Sequence, residues 1–297
     1  MNLQTDSFLE YLKSERNYSP ATIESYAKDL AEFRNFLEGQ RLDPQWADVK
    51  ADDVREWVIY MLDEQKLTAS SVNRKLSALR TCYKYLRKME VVKANPMEKV
   101  VAPKKKRPLP YFVRESDMDK LLELTAEDKT FKGVRDRLIL LMFYETGIRR
   151  AELLGLTDAS VDLKAKQIKV TGKRNKQRIV PFGDELEAGL LAYLDFRKTK
   201  TGLSNAPALF ITEEGKPLNE AQVSRIVKDN LSMVTTMKKR SPHVLRHSFA
   251  TAMLNNKADL TSIQKLLGHE SVATTEVYTH VSFEDLKNEY KNAHPRK

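Results

Sequence analysis

Apolar residues recur along most of this chain at steps of three and four, the period of helices that bury one face. Ser19-Pro20 opens the first clear case, a hydroxyl cap followed by the residue best suited to the first helical position, and Ile23, Tyr26, Leu30, Phe33 and Leu37 continue it. A second stripe of Val72, Leu76, Leu79, Tyr83 and Leu86 predicts a helix through SSVNRKLSALRTCYKYLRK, with Arg74, Lys75, Arg80, Lys84, Arg87 and Lys88 on its other faces. Leu138 to Tyr144 is apolar throughout, predicting a helix buried all round that Thr146-Gly147 ends. The period changes to two at Gln167–Val170 and Arg178–Pro181, on either side of Gly172-Lys173-Arg174-Asn175-Lys176, which predicts a β-hairpin. The fold class expected is mainly α, with a small antiparallel hairpin in the second half.

Ala102-Pro103-Lys104-Lys105-Lys106-Arg107-Pro108-Leu109-Pro110 breaks the helical pattern. Prolines bracketing four cations make an extended linker, which divides the chain into a helical domain over 1–102, a basic linker over 103–110 and a second domain over 111–297. No apolar run approaches the roughly 18 residues of a membrane span, and Met1-Asn2-Leu3-Gln4 opens no signal peptide, so the expected place is the cytoplasm, against the nucleoid. The single cysteine, Cys82, leaves no internal disulfide and reads as a core residue. Lys and Arg number 51 against 41 Asp and Glu, a formal charge of +10 that favours a polyanionic partner. On the 70–88 helix this charge fits DNA phosphates, with Arg74, Lys75, Arg80 and Lys84 as contacts, joined by Lys104, Lys105, Lys106 and Arg107 in the linker; the competing readings are a solvated helix face and, for the linker cations, a nuclear localisation signal.

The candidate chemistry lies in SPHVLRHSFATAMLNNKADLTSIQKLLGHESVATTEVYTH. Ser241-Pro242 starts a helix, so His243 and Arg246 share a face one turn apart near its positive end. Asp259 caps a second helix with Leu260, Ile263, Leu266 and Leu267 inward, and Gly268 ends it in a left-handed turn. His269 follows that stop, and Tyr278 lies nine residues on. Earlier, Arg149 opens a helix with Glu152 one turn on. Metal-free chemistry at a phosphodiester needs cations for the non-bridging oxygens, a proton donor for the leaving oxygen and a nucleophile. Arginine suits the first task because its fork pairs with phosphate and keeps its charge. His243 and His247 have metal-pair spacing, but Val244 stands where a zinc helix would carry glutamate.

The motifs TGIRRAELLGL (146–156), GKRNK (172–176), HVLRHSFAT (243–251), LGH (267–269) and TTEVYTH (274–280) together resemble the tyrosine recombinases in order and spacing. SPATIESYAKDL and SSVNRKLSALR resemble that family's SAM-like core-binding domain, and the ending AHPR resembles its Xer branch. The resemblance implies a two-domain C-shaped clamp on double-stranded DNA, with Tyr278 as nucleophile forming a 3′-phosphotyrosine. It implies Arg149 and Arg246 on the non-bridging oxygens, His269 as a further donor and Lys173 as acid for the 5′-oxygen. His243 would assist proton removal from Tyr278 and Glu152 would support Arg149. No ATP, divalent ion or other cofactor is implied.

Arg174 stands where the family usually has glycine, so Lys176 is kept as the alternative to Lys173. The implied assembly is a homo- or hetero-tetramer on DNA with a second Xer paralogue, working with a septal DNA translocase to resolve chromosome dimers at cell division. Phe283, Leu286 and Tyr290 would form a tail that docks on a neighbouring protomer. Core-binding sequence begins near Asp6, as in a simple recombinase without an arm-binding domain. The competing readings are a mobile-element integrase of the same family, a type IB topoisomerase-like enzyme, and a helix-turn-helix regulator built around Leu267-Gly268.

Overall fold

In the computed structural model the described residues are 3–41, 43–104, 111–172, 175–201, 207–268 and 283–296. They divide into two compact units, Met1–Pro108 and Leu109–Lys297. In the first unit, α1 (Leu3–Ser14), α2 (Pro20–Glu38), α3 (Ala51–Asp63) and α4 (Ala69–Lys88) surround one core. Ser19 caps α2 by accepting from Thr22 N at 3.3 Å, and Thr68 caps α4 in the same way from Ser71 N. The expected α4 stripe from Val72 to Leu86 is buried at every position, together with Cys82.

The second unit is built on α5 (Glu115–Ala126) and α6 (Phe131–Thr146). Every residue from Leu138 to Tyr144 is buried, as a run without a polar face requires. Gly147 ends α6 at φ +58°, and a Cβ there would lie 2.6 Å from Phe249 Cδ1 and 2.8 Å from Leu267 Cδ2. Glycine is therefore required twice, for the left-handed turn and for the close approach. The short α7 (Arg150–Leu154) follows, then β1 (Val161–Asp162), β2 (Gln167–Thr171) and β3 (Gln177–Pro181) in an antiparallel sheet of order β1-β2-β3. Gln167 pairs with Pro181 and Thr171 with Gln177. The hairpin matches the two-residue period, whereas β1 spans too few residues to display one.

The remaining helices are α8 (Asp184–Thr201), α9 (Glu220–Leu231), α10 (Pro242–Asn255), α11 (Leu260–Leu267) and α12 (Phe283–Ala293). Pro242 begins α10 as expected, but the Ser241 hydroxyl makes no capping bond. Asp259 does cap α11, accepting from Ser262 N at 3.0 Å, and Gly268 ends it at φ +63°. Among the described residues no helix is long and apolar enough to cross a membrane.

The end of α12 packs into its own protomer. Of the face expected to dock on a neighbour, the side chains of Phe283 and Leu286 lie outside the described residues, and Tyr290 is buried. Its hydroxyl donates to Glu145 Oε2 at 3.3 Å and its ring stacks on His294, centroids 4.9 Å apart. His294 is satisfied at both nitrogens, Nε2 with Tyr144 O at 3.2 Å and Nδ1 accepting from Arg296 N at 3.1 Å. Burial lowers its pKa to about 4. Within the chain, the ring and the hydroxyl of Tyr290 both find partners.

Glu145 is fully buried, and burial pushes its carboxyl up to about 8 against the hydrogen bonds from Gly183 N and Tyr290. The folded state therefore holds a proton that the unfolded chain releases above the ordinary value of 4.5. Stability falls as pH rises from there to about 8, by up to about 1.4 kcal/mol per pH unit. Glu145→Gln is expected to match wild type near the bottom of that window and to melt at a higher temperature near its top. Thermal melts of both proteins across the window check this, and parallel curves would refute it.

Candidate active site

Three arginines from three separate segments converge on the end of α11. A helix terminus leaves its last carbonyls without intrahelical partners and concentrates the negative end of the helix dipole there. Arg178 Nε donates to Leu266 O at 2.7 Å, Arg246 Nη2 to Leu267 O at 2.6 Å and Arg149 Nη2 to Gly268 O at 2.8 Å. Three successive carbonyls thus receive one guanidinium each. The second nitrogen of Arg246, Nη1, donates to Gly147 O at 2.5 Å, which joins the end of α6 to the end of α11.

Glu152 ties two of these arginines together. Its Oε1 accepts from Arg149 Nη1 at 2.8 Å and Arg178 Nη1 at 2.7 Å, and its Oε2 accepts from Arg178 Nη2 at 2.9 Å and Arg149 N at 2.7 Å. The last of these caps the start of α7. Burial would raise its pKa, but the hydrogen bonds from Arg178 and Arg149 and the charge of Arg178 outweigh it and hold the carboxyl at about 2. Glu152 is therefore a fixed anion and a poor proton shuttle. Arg246 is lowered to about 10, by burial first and by the charge of Arg149 next, so it remains charged at neutral pH.

A carboxyl depressed in the fold contributes stability above its unfolded value, and that contribution is lost as pH falls toward its folded value. For Glu152 the window runs from 4.5 down to about 2, and the full contribution is on the order of 3 kcal/mol. Glu152→Gln is expected to lower the unfolding free energy at neutral pH by this order and by less than half as much near pH ~3. Urea titrations at the two pH values check it. An equal loss at both would remove the carboxylate's charge from the explanation.

Arg149, Glu152 and Arg246, all expected from the sequence, are brought together. His243 lies exposed one turn before Arg246 on α10. Gly172, the residue before Lys173, lies against Glu152, where an added Cβ would come within 3.2 Å of Oε1. Lys173, His269 and Tyr278 themselves lie outside the described residues. Lys176 is exposed, and its carbonyl accepts from Gly172 N at 2.7 Å across the hairpin. Arg178 is the participant that the sequence reading passed over. On β3 it is in phase with buried Val180, while Ile179 turns outward, and an inward cation on a strand was the available signal.

The first unit corrects one expected phosphate contact. Lys75 is buried, its ammonium 3.3 Å from Asp29 Oδ1 and 2.5 Å from Glu32 Oε2. A buried ammonium needs such partners, so it is a core ion pair. Arg74, half exposed, reaches the same Asp29 at 2.8 Å and also bonds Ser25. Arg80 is half buried, with Nη2 3.4 Å from Val100 O. Lys84 and Lys104 are exposed, and Lys105, Lys106 and Arg107 lie outside the described residues.

Residues 111–285 match the model of the phage integrase family, and residues 5–90 match its N-terminal SAM-like domain. Tyrosine recombinase XerC of Staphylococcus epidermidis is 38% identical over 291 residues, covering 98% of this chain and 97% of that protein. The chain belongs to the Xer branch of the tyrosine recombinases. XerC of Staphylococcus aureus is 39% identical over 296 residues, covering 100% of this chain and 98% of the relative. A crystal structure of the XerH site-specific recombinase bound to difH substrate matches with a TM-score of 0.70 at 24% identity, covering 96% of this chain and 82% of that one. That likeness gives the recombinase fold. The recombinase is a site-specific DNA-cleaving and rejoining enzyme, and the helix-turn-helix regulator and topoisomerase readings give way to it.

Proposed function

We propose that this chain cuts double-stranded DNA at a defined site through a 3′-phosphotyrosine on Tyr278 and resolves chromosome dimers at cell division. The observation that carries the phosphate site is the pairing of Arg149 and Arg246 on adjacent carbonyls of one helix end. Each guanidinium has five N–H donors and spends two on the bonds described, so each retains donors for a non-bridging oxygen. Their orientation is fixed before substrate arrives, which is what electrostatic preorganisation requires.

In this reading Tyr278 attacks the phosphorus and the 5′-oxygen leaves with a proton from Lys173. His269 adds a hydrogen bond to the phosphate and His243 helps remove the phenol proton. Glu152 orients Arg149 and keeps its own charge throughout. Lys84, Lys104 and Arg74 contact the duplex beyond the cleavage point. The working assembly is a tetramer with a second Xer paralogue, in the cytoplasm beside the nucleoid, acting with a septal DNA translocase. The XerC relatives support this reading over a mobile-element integrase.

The test is covalent trapping. Purified protein is incubated in EDTA with nicked suicide duplexes carrying the host's terminus site, with and without the paralogue. A denaturation-resistant protein–DNA adduct at the 3′ side of the nick is the expected result. Tight, specific binding with no adduct in either condition would sink the proposal.

A further inference from the structure

Arg178 is the arginine of the cluster that makes hydrogen bonds through all three of its nitrogens. Nη1 and Nη2 grip the two oxygens of Glu152 at 2.7 and 2.9 Å, and Nε reaches Leu266 O at 2.7 Å. Its side chain is 15% exposed, against 30% for Arg149. It is packed as well as bonded. A Cβ on Gly268 would come 3.1 Å from its Nη1 and 3.4 Å from its Cδ, and one on Gly172 would come 4.0 Å from Nη1. Arg178 thus touches the hairpin, the carboxylate behind Arg149 and the turn that leads to His269.

We infer that Arg178 is a positioning residue for strand cleavage: it locks Glu152 and the α11 terminus together, so that Arg149 and Arg246 present their free donors at one fixed separation. The inference rests on the reading of Arg149 and Arg246 as the phosphate clamp. Against the simpler role of a third phosphate ligand stands its donor use: Arg178 spends three of its five N–H donors on these bonds, where Arg149 and Arg246 each spend two on theirs. It also explains why the residue is arginine. A lysine ammonium is a point charge that cannot span both oxygens of a carboxylate and a carbonyl on the far side. The hydrogen bond from Arg178 is the largest influence holding the Glu152 carboxyl down. Without it, a buried carboxylate would be left with Arg149 alone.

The test uses the full chain with Arg178→Lys, Arg178→Gln and Arg178→Ala. On saturating suicide duplex, all three are expected to form adduct at least about tenfold more slowly than wild type, while DNA affinity stays within about threefold. Added guanidinium ion at millimolar concentration should partly restore cleavage to the alanine variant and leave the lysine variant unchanged, a readout that general destabilisation would not give. A second measurement is independent of turnover: the carboxyl-carbon resonance of Glu152, which in wild type should not titrate above pH ~4, should titrate there in Arg178→Gln. Adduct formation by the variants at the wild-type rate, or slowing that only follows lost binding or lost folded fraction, overturns the inference. If wild type itself forms no adduct, the clamp reading fails first. Arg178 is then judged by the Glu152 resonance, and an unchanged titration in the glutamine variant overturns its role as well.

Discussion

Tyr278→Phe is expected to bind its site as wild type does and to trap no covalent adduct at all. The substitution removes the one oxygen proposed to join the phosphorus and leaves the ring, so shape and binding surface are nearly conserved. A residual rate would require another phenol to take over, and apart from half-buried Tyr111 the described tyrosines of the second unit are poor substitutes. Tyr144, Tyr193 and Tyr290 are buried, and burial pushes the phenol pKa of each upward. Tyr290 is further committed to Glu145. Adduct counts on denaturing gels, normalised to bound duplex, give the comparison; adduct from the phenylalanine protein above background would move the nucleophile elsewhere.

Arg246→Ala should be nearly as severe in rate and, unlike Tyr278→Phe, costly to the fold. Losing one preorganised donor at the phosphate costs on the order of a hundred- to a thousand-fold in cleavage. The same change strips Gly147 O and Leu267 O of their partners, and a buried carbonyl left unsatisfied costs about 1–3 kcal/mol. Arg246→Lys separates the two effects. It keeps a charge in place but cannot bridge two carbonyls and a phosphate at once, so rate should remain low while part of the stability returns. Single-turnover cleavage and urea unfolding on both variants check this. A lysine protein that cleaves at the wild-type rate would show that charge alone suffices.

Much of this was legible in the chain. The stripe from Val72 to Leu86 announced α4, and Gly147 and Gly268 marked helix ends that the structure confirms at positive φ. Arg149, Glu152 and Arg246 could be singled out because each stands at a helix start, where local spacing is informative. What failed to show depends on contacts remote in sequence. Lys75 looks like its basic neighbours on α4, and only the packing of α2 against that face reveals Asp29 and Glu32 beneath it. Glu145 sits in an apolar helix with nothing local to signal that Tyr290 will reach it. Arg178 was hidden because strand periodicity tells inward from outward but not what an inward cation will meet.

The cluster at the end of α11 also orders events during synthesis. A chain growing from its N-terminus makes Arg149, Arg178 and Arg246 before it makes the carbonyls of Leu266, Leu267 and Gly268 that hold them. Until those carbonyls emerge from the ribosome, Arg149 and Arg178 share only Glu152 and Arg246 has only Gly147 O, and no one helix end joins all three. A polypeptide that stops short of α11 therefore carries most of the recombinase without the helix end that gathers its three arginines.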